Sequence, residues 1–201
     1  MMKTLLKISS SLFSEKGQSS LLADRFVDMW KEANADGRVI GRDLAKNPVP
    51  HLTGERFQAF LTEAGERSAE QAAYAAESDL LIEELVSADV VVLGLPMYNF
   101  GIPSTLKAWI DHVARAGITF KYTDTGPVGL LSDRPVHIFA SRGGYYEGTP
   151  MDTQSAYITH FLNFIGIRDI NFIYAEGLAR GGDVRCQSLD RANRLIERIA
   201  A

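Results

Sequence analysis

Two short apolar runs constrain the fold more than any other feature of the sequence. They are Val90-Val91-Val92-Leu93 and Val136-His137-Ile138-Phe139, and both are β-branched and bounded by turn residues. Runs of this kind are typical of strands buried on both faces of a parallel sheet. We therefore expect a sheet that is covered by helices on both sides.

Three similar runs along the chain bring the number of predicted strands to five. The strands are Thr4–Ile8, Arg38–Leu44, Asp89–Leu95, Pro135–Ala140 and Ile170–Tyr174. Segments of helical period alternate with them; the first is predicted to be capped by Ser19 or Ser20, and one later helix to end at Gly166. Alternating strands and helices imply right-handed crossovers and a parallel sheet. The predicted class is an α/β sandwich, with one domain over residues 1–201.

Composition narrows the class of protein further. The 201 residues include 21 Lys and Arg against 25 Asp and Glu, and a net charge of −4 disfavours binding to nucleic acid or an anionic membrane. The single cysteine excludes an internal disulfide and a cysteine-rich zinc site, and the scattered histidines predict no metal site. No apolar stretch is long enough for a signal peptide or a membrane span. We expect a cytoplasmic protein.

Two segments depart from the plain alternation. Residues 45–87 are too many for a simple connection and contain two stretches of helical character, 55–61 and 69–86, so they predict a helical insertion. Residues 117–131 alternate in polarity and then reach Gly126-Pro127, a pattern that predicts an excursion or a hairpin.

The first loop of chemical interest follows the first strand. It contains Ser9-Ser10-Ser11 and then Gly17-Gln18-Ser19-Ser20 at the start of a helix. Hydroxyls, backbone N–H groups and the helix dipole together suit a phosphate. The motifs G-x-G-x-x-G and G-x-x-x-x-G-K-[ST] are absent, which disfavours a Rossmann dinucleotide site and a P-loop NTPase. On this loop alone, a capped helix behind a solvated serine loop remains an equal alternative.

A second loop, residues 96–103, and a third, residues 141–146, follow the next two predicted strands of the core. The second combines Met97, Tyr98, Asn99 and Phe100 with stiffening prolines, which suits a planar ring; the alternative is an aromatic roof over the sheet. The third carries Gly143-Gly144, whose N–H groups can face a ligand; the alternative is an ordinary tight turn, with Arg142 and the tyrosines solvated or packed. Ligands of open α/β sheets bind at the carboxyl ends of the strands, so the three loops predict one site.

These loops resemble those of the FMN-dependent NADH-azoreductases, a family of flavodoxin-like quinone reductases. The resemblance rests on Ser9-Ser10 with Gly17-Gln18-Ser19, on residues 96–103 followed by 106–111, and on Ser141-Arg142-Gly143-Gly144. It implies a flavodoxin-like three-layer sandwich with a five-stranded parallel sheet in the order 2-1-3-4-5. It also implies a homodimer with two active sites near the subunit interface.

The resemblance assigns roles to individual residues. Ser10, Gly17, Gln18 and Ser19 would hold the FMN phosphate. The isoalloxazine ring would be surrounded by Pro96, Met97, Tyr98, Asn99, Phe100, Ser141, Arg142, Gly143 and Gly144. Phe60 and Phe120 are expected as walls of the substrate pocket, contributed by different subunits, and Tyr145 or Tyr146 as a residue of its rim.

The activity that the resemblance implies is a ping-pong reduction in two steps. NADH or NADPH would pass a hydride to FMN, and a quinone or an aromatic azo compound would then accept the electrons, with no side chain acting as a nucleophile. The alternatives are a flavodoxin-like electron carrier or FMN-binding regulator, and an FAD-using quinone reductase of the same fold. A hydrolase is disfavoured, because no nucleophile–base set is visible. The additions at 45–87 and around Phe120 favour an enzyme, since a bare carrier would not need such walls.

Overall fold

A computed structural model describes residues 2–200 and shows one sheet between two layers of helices. The strands are β1 (Thr4–Ser9), β2 (Arg38–Asp43), β3 (Val90–Pro96), β4 (Phe120–Thr123), β5 (Gly126–Gly129), β6 (Val136–Ser141) and β7 (Ile170–Ala175). The helices are α1 (Gln18–Ala33), α2 (Gly54–Leu61), α3 (Ala69–Ser87), α4 (Ser104–Val113), α5 (Thr153–Ile165) and α6 (Gly182–Ala200). Each of the five predicted strands is present within two residues of its predicted bounds.

The main sheet is parallel throughout and has the order β2-β1-β3-β6-β7. Counting only its own strands along the chain, this order is 2-1-3-4-5, so the flavodoxin-like topology is confirmed. The direction of the connections changes between β1 and β3. Crevices form at such a switch point, outside the carboxyl ends of the strands.

Alternate residues of the strands feed two separate cores. Leu5, Val92 and Phe139 point into the core beneath α1 and α6, whereas Leu93 and Ile138 point into the core beneath α3, α4 and α5. Because successive side chains of a strand face opposite ways, a strand with helices on both sides must be apolar at nearly every position. This requirement explains the continuous apolar runs of β3 and β6.

The helix ends match the sequence prediction at one place and differ at another. Gly166 ends α5 in the left-handed conformation, with φ of 109°, as predicted. The predicted capping of α1 by Ser19 or Ser20 is wrong, because Gly17 is the N-cap and both serines lie buried in the first turn. The N-terminus of α1 has no side-chain cap.

The two irregular segments have defined structures. Within residues 45–87, α3 packs Leu81 and Leu85 into the core as the crossover helix between β2 and β3, so the addition to the plain fold is α2 with its flanking loops. Within residues 117–131, β4 and β5 form an antiparallel hairpin. In the described part of the chain, no helix has the length and apolar character that a bilayer crossing requires.

Candidate active site

The three predicted loops meet around one cleft at the switch point of the sheet. The cleft has a volume of about 190 Å³ and is lined by Ser11, Phe13, Gly17, Gln18, Pro96, Met97, Tyr98, Ser141, Arg142, Gly143 and Leu178. A larger groove of about 460 Å³ beside Pro48–Pro50 contains no residue of these loops. We take the smaller cleft as the candidate site, because residues of all three loops line it.

The N-terminus of α1 forms the phosphate-like end of the cleft. The N–H groups of Gln18, Ser19 and Ser20 have no acceptor among residues 2–200, and the first turn of the helix carries no acidic residue. The buried Ser19 hydroxyl likewise has no partner within that range. Unpaired N–H groups at the positive end of a helix dipole bind anions, so this end of the cleft suits a phosphate.

Ser11, rather than Ser10, lies at the cleft. The Ser11 Oγ atom accepts the N–H of Phe13 at 3.2 Å and lies against Gly17, where an added Cβ would come within 2.1 Å of it. Ser10 directs both its donors at the carbonyl of Gly94, from the backbone N at 3.2 Å and from Oγ at 2.7 Å. The geometry therefore does not support Ser10 as a phosphate donor. Within a run of three serines, only the fold distinguishes the residue that faces the cleft.

The second loop contains a strained two-residue turn. Tyr98 and Gly101 exchange two backbone hydrogen bonds of 3.1 and 2.9 Å, and the residues between them have positive φ, 49° at Asn99 and 63° at Phe100. Turns of this type usually have glycine at the second position, and a phenylalanine there is strained. The N–H groups of Asn99 and Phe100 have no acceptor within the described residues, and Phe100 is 48% exposed. Strain of this kind is concentrated at functional sites.

Contacts from two directions hold the second loop. Gln154 Nε2 donates to the carbonyls of Pro96 at 2.8 Å and Gly101 at 3.2 Å. On the other side, the Tyr98 hydroxyl accepts the N–H of Leu12 at 3.2 Å. The second loop is therefore fixed both to α5 and to the first loop.

The third loop places free backbone N–H groups next to the second loop. The N–H groups of Gly143, Gly144 and Tyr145 have no acceptor among residues 2–200. The ring of Tyr146 packs so closely on Gly144 that a Cβ there would lie 2.8 Å from it, and its edge meets the ring of Phe100 at a centroid distance of 5.8 Å. A run of free N–H groups next to the packed rings of Phe100 and Tyr146 can donate hydrogen bonds to the polar edge of a planar ligand.

Arg142 does not direct its charge into the cleft. Its side chain is fully buried and forms ion pairs with Asp152 and Glu176, while its backbone N and O bond to Ala175 and Leu178. Burial raises the pKa of Asp152, but the hydrogen bonds from Arg142 and Ser155 outweigh it, and the net pKa is lowered. Asp152 is therefore ionised at neutral pH, and Arg142 belongs to the cleft lining without directing its charged group into it. No local motif marks Asp152 or Glu176 as its partners, because both are brought to Arg142 only by the fold.

The predicted pocket aromatics occupy different places. Tyr146 packs its ring edge against Phe100 of the second loop, at a centroid distance of 5.8 Å. Phe60 lies in α2 with its ring edge-on to His112 at 5.8 Å, and Phe120 is only 7% exposed because it packs on Phe164. Neither Phe60 nor Phe120 lines the cleft of this chain. Their rings are used for packing between elements that are remote from one another in the sequence.

Comparison with known proteins agrees with this geometry. Residues 2–199 match the Flavodoxin_2 family, which is described as a flavodoxin-like fold. The FMN-dependent NADH:quinone oxidoreductase of Cellvibrio japonicus (strain Ueda107) is 61% identical to this chain over 180 residues, which cover 90% of each protein. The chain belongs to the FMN-dependent NADH:quinone oxidoreductase family. The resemblance found in the loop motifs is thereby confirmed.

Solved structures with the same fold include two azoreductases. The azoreductase from Bacillus anthracis str. Sterne has a TM-score of 0.90 and 28% identity, over 99% of both chains. The FMN-dependent NADH-azoreductase from Bacillus anthracis str. Ames Ancestor, a structure in complex with FMN, has a TM-score of 0.88 and 26% identity over the whole of both chains.

The cleft fits the cofactor of the FMN-dependent NADH:quinone oxidoreductase family. Its uncapped helix N-terminus matches a terminal phosphate, and the free N–H groups of the second and third loops match the polar edge of a flat ring. Among residues 2–200, no group of three His, Cys, Asp or Glu side chains is arranged to hold a metal ion.

Proposed function

We propose that this chain binds FMN in the cleft and catalyses the two-electron reduction of quinones and aromatic azo compounds by NADH or NADPH, in a ping-pong sequence. When bound, FMN supplies the chemistry of hydride acceptance and electron delivery. The observation that carries the proposal is that the start of α1, the second loop and the third loop line one cleft, with the free N–H groups of Gln18 and Gly143 at its walls.

The residues of α1 bind the phosphate end in this proposal. The N–H groups of Gln18, Ser19 and Ser20 and the Ser19 hydroxyl donate to phosphate oxygens, and the absence of an acidic residue from the first turn avoids repulsion. Gly17 allows Ser11 to lie against the backbone at this point, so the serine can border the phosphate.

The second and third loops orient the ring. The N–H groups of Asn99 and Phe100 on one side and of Gly143 and Gly144 on the other donate to its polar edge, and Met97 and Tyr98 line the cleft beside it. Fixed donors near the atoms where negative charge develops stabilise that charge without reorganisation. The chain thereby aligns two planar partners, and the alignment itself contributes to the rate.

In this proposal the acceptor binds next to Phe100 and Tyr146, the aromatic residues of the second and third loops whose rings meet edge to face. Aromatic surfaces of this kind suit flat, electron-poor molecules such as quinones and azo compounds. Leu12 and Phe13, beside the cleft, are 59% and 69% exposed. Because exposed apolar patches commonly mark interfaces, we include a homodimer in the proposal, with the partner chain completing the pocket.

An absorption experiment tests the proposal. We expect purified protein supplied with FMN to show bound-flavin absorbance, which NADH bleaches under anaerobic conditions and benzoquinone restores. Bound flavin that neither NADH nor NADPH bleaches would instead indicate an electron carrier or regulator. A protein that takes up no FMN contradicts the proposal as a whole, and uptake of FAD in preference to FMN contradicts the choice of cofactor.

A further inference from the structure

A buried ion cluster lies directly behind the candidate active site. The guanidinium of Arg142 is 2.8 Å from Asp152 Oδ1 and 3.0 Å from Glu176 Oε1, and the side chains of these three residues are 0%, 8% and 9% exposed. Two buried carboxylates share one cation, so desolvation is costly and the arrangement is weak support for stability. The cluster acts instead through the backbone segments to which its two carboxylates are hydrogen-bonded.

One arm of the cluster reaches the third loop. The carboxylate oxygen Oε1 of Glu176 accepts the backbone N–H groups of Tyr146 at 2.9 Å and Glu147 at 3.0 Å, in addition to its bond from Arg142. These contacts fix the segment that follows the free N–H groups of Gly143 and Gly144. The position of the third loop therefore depends on where Arg142 holds Glu176.

The other arm reaches the second loop through α5. Asp152 caps this helix by accepting the N–H of Ser155 at 3.0 Å. The next two residues hold the strained turn: the Thr153 hydroxyl donates to the carbonyl of Phe100, and Gln154 donates to the carbonyls of Pro96 and Gly101. The position of the second loop therefore depends on where Arg142 holds Asp152.

We infer that Arg142 is a positioning residue that fixes the second and third loops relative to each other across the cleft, without contacting the ligand with its charged group. The inference rests on the proposed function, since the ligand between the loops is FMN. Only a guanidinium forms a two-point contact with Asp152 and reaches Glu176 at the same time. A lysine keeps the charge but loses this fork.

The test compares Arg142→Lys with a matched control. Arg115 is also a buried arginine, forms an ion pair with Asp79 and packs over Phe60, away from the cleft. Arg115→Lys therefore reproduces the loss of stability that replacing a buried, ion-paired arginine with lysine causes. Purified holoproteins are diluted, the released FMN is measured by its fluorescence, and the circular dichroism of bound flavin is recorded in the visible region. The last measurement reports the geometry around the ring rather than the stability of the fold.

The expected result is specific to Arg142. We expect Arg142→Lys to raise the Kd for FMN by about tenfold, because hydrogen bonds to charged groups are lost, and to change the flavin dichroism. Arg115→Lys should leave both unchanged. Equal changes in the two variants, or wild-type affinity and dichroism in Arg142→Lys, overturn the inference. If the wild type itself holds no FMN, the proposed function fails, which is a separate outcome.

A second variant keeps the test decisive if Arg142→Lys does not fold. Asp152→Asn retains an oxygen that can cap α5 and removes the charge that pairs with Arg142. We expect the same weakening of FMN binding and the same change in dichroism. An Asp152→Asn protein with wild-type values in both measurements contradicts the inference.

Discussion

The hydroxyl of Tyr98 accepts the backbone N–H of Leu12 at 3.2 Å, and this bond joins two loops that are 86 residues apart in the sequence. The same hydroxyl is 3.4 Å from Ser11 Oγ. The loop predicted to hold the phosphate and the loop predicted to hold the ring are thus fixed to each other even before a ligand is considered.

The first prediction concerns the loss of the Tyr98 hydroxyl. Tyr98→Phe should raise the Kd for FMN about threefold and lower the free energy of unfolding by about 1 kcal/mol or less, because water can replace the phenol at the exposed Leu12 N–H. Fluorescence titration and chemical denaturation measure the two effects. Tyr122→Phe, at a 74% exposed position of the hairpin, is the matched control and should change neither. An unaltered Kd in Tyr98→Phe would show that the bond between the loops is irrelevant to binding.

The second prediction concerns the space next to Gly17, which an added methyl group would fill. In Gly17→Ala, the new methyl group would lie 2.1 Å from Ser11 Oγ, so the first loop must move. We expect a loss of about 2 kcal/mol in the free energy of unfolding and weaker FMN binding. Gly54→Ala serves as the control, because nothing lies within 4 Å of its added methyl group. If Gly17→Ala and Gly54→Ala change the free energy of unfolding and the Kd for FMN by equal amounts, the close contact between Gly17 and Ser11 is contradicted.

The third prediction concerns the strain at Phe100. Phe100→Gly suits a positive φ, which relieves about 1–3 kcal/mol of strain, and it loses about 1 kcal/mol from the aromatic contact with Tyr146. We expect a free energy of unfolding close to that of the wild type, together with slower benzoquinone reduction, because an aromatic edge of the cleft is lost. Phe57→Gly, at a similarly exposed helical position, should lose about 1 kcal/mol. A Phe100→Gly protein less stable than Phe57→Gly argues against strain at the turn.

The fourth prediction is a pH dependence of stability from buried histidines. Burial lowers the pKa of His112 and of His137 below the ordinary value of 6.5. The unfolded chain therefore binds protons at a higher pH than the folded chain does, and the stability present above pH 6.5 is lost as the pH falls through the depressed folded values. Denaturation midpoints measured between about pH 7.5 and about pH 5.5 should fall with pH. His112→Gln should reduce this slope more than the surface variant His160→Gln does, and a slope unaffected by His112→Gln contradicts the assignment.

Patterns along the chain were sufficient to predict much of the fold. The β-branched run at Val90–Leu93 became β3, the alternation before Gly126 became a hairpin, and Gly166 ended α5. Each of these features depends on neighbours in sequence: strand periodicity on alternate side chains, and a helix end on the conformational freedom of one glycine. The strand order came instead from the resemblance of the loop motifs to a known family.

The sequence by itself determined an α/β sandwich, the position of three loops that follow its strands and the family that these loops resemble, because all of these depend on local residue patterns. Only the tertiary structure decided that Ser10 bonds to Gly94 while Ser11 faces the cleft, and that Arg142 turns inward to Glu176. The partners concerned lie 84 and 34 residues away in the chain. The direction of a polar side chain depends on which distant groups can satisfy it after the chain has folded, and no local pattern contains that information.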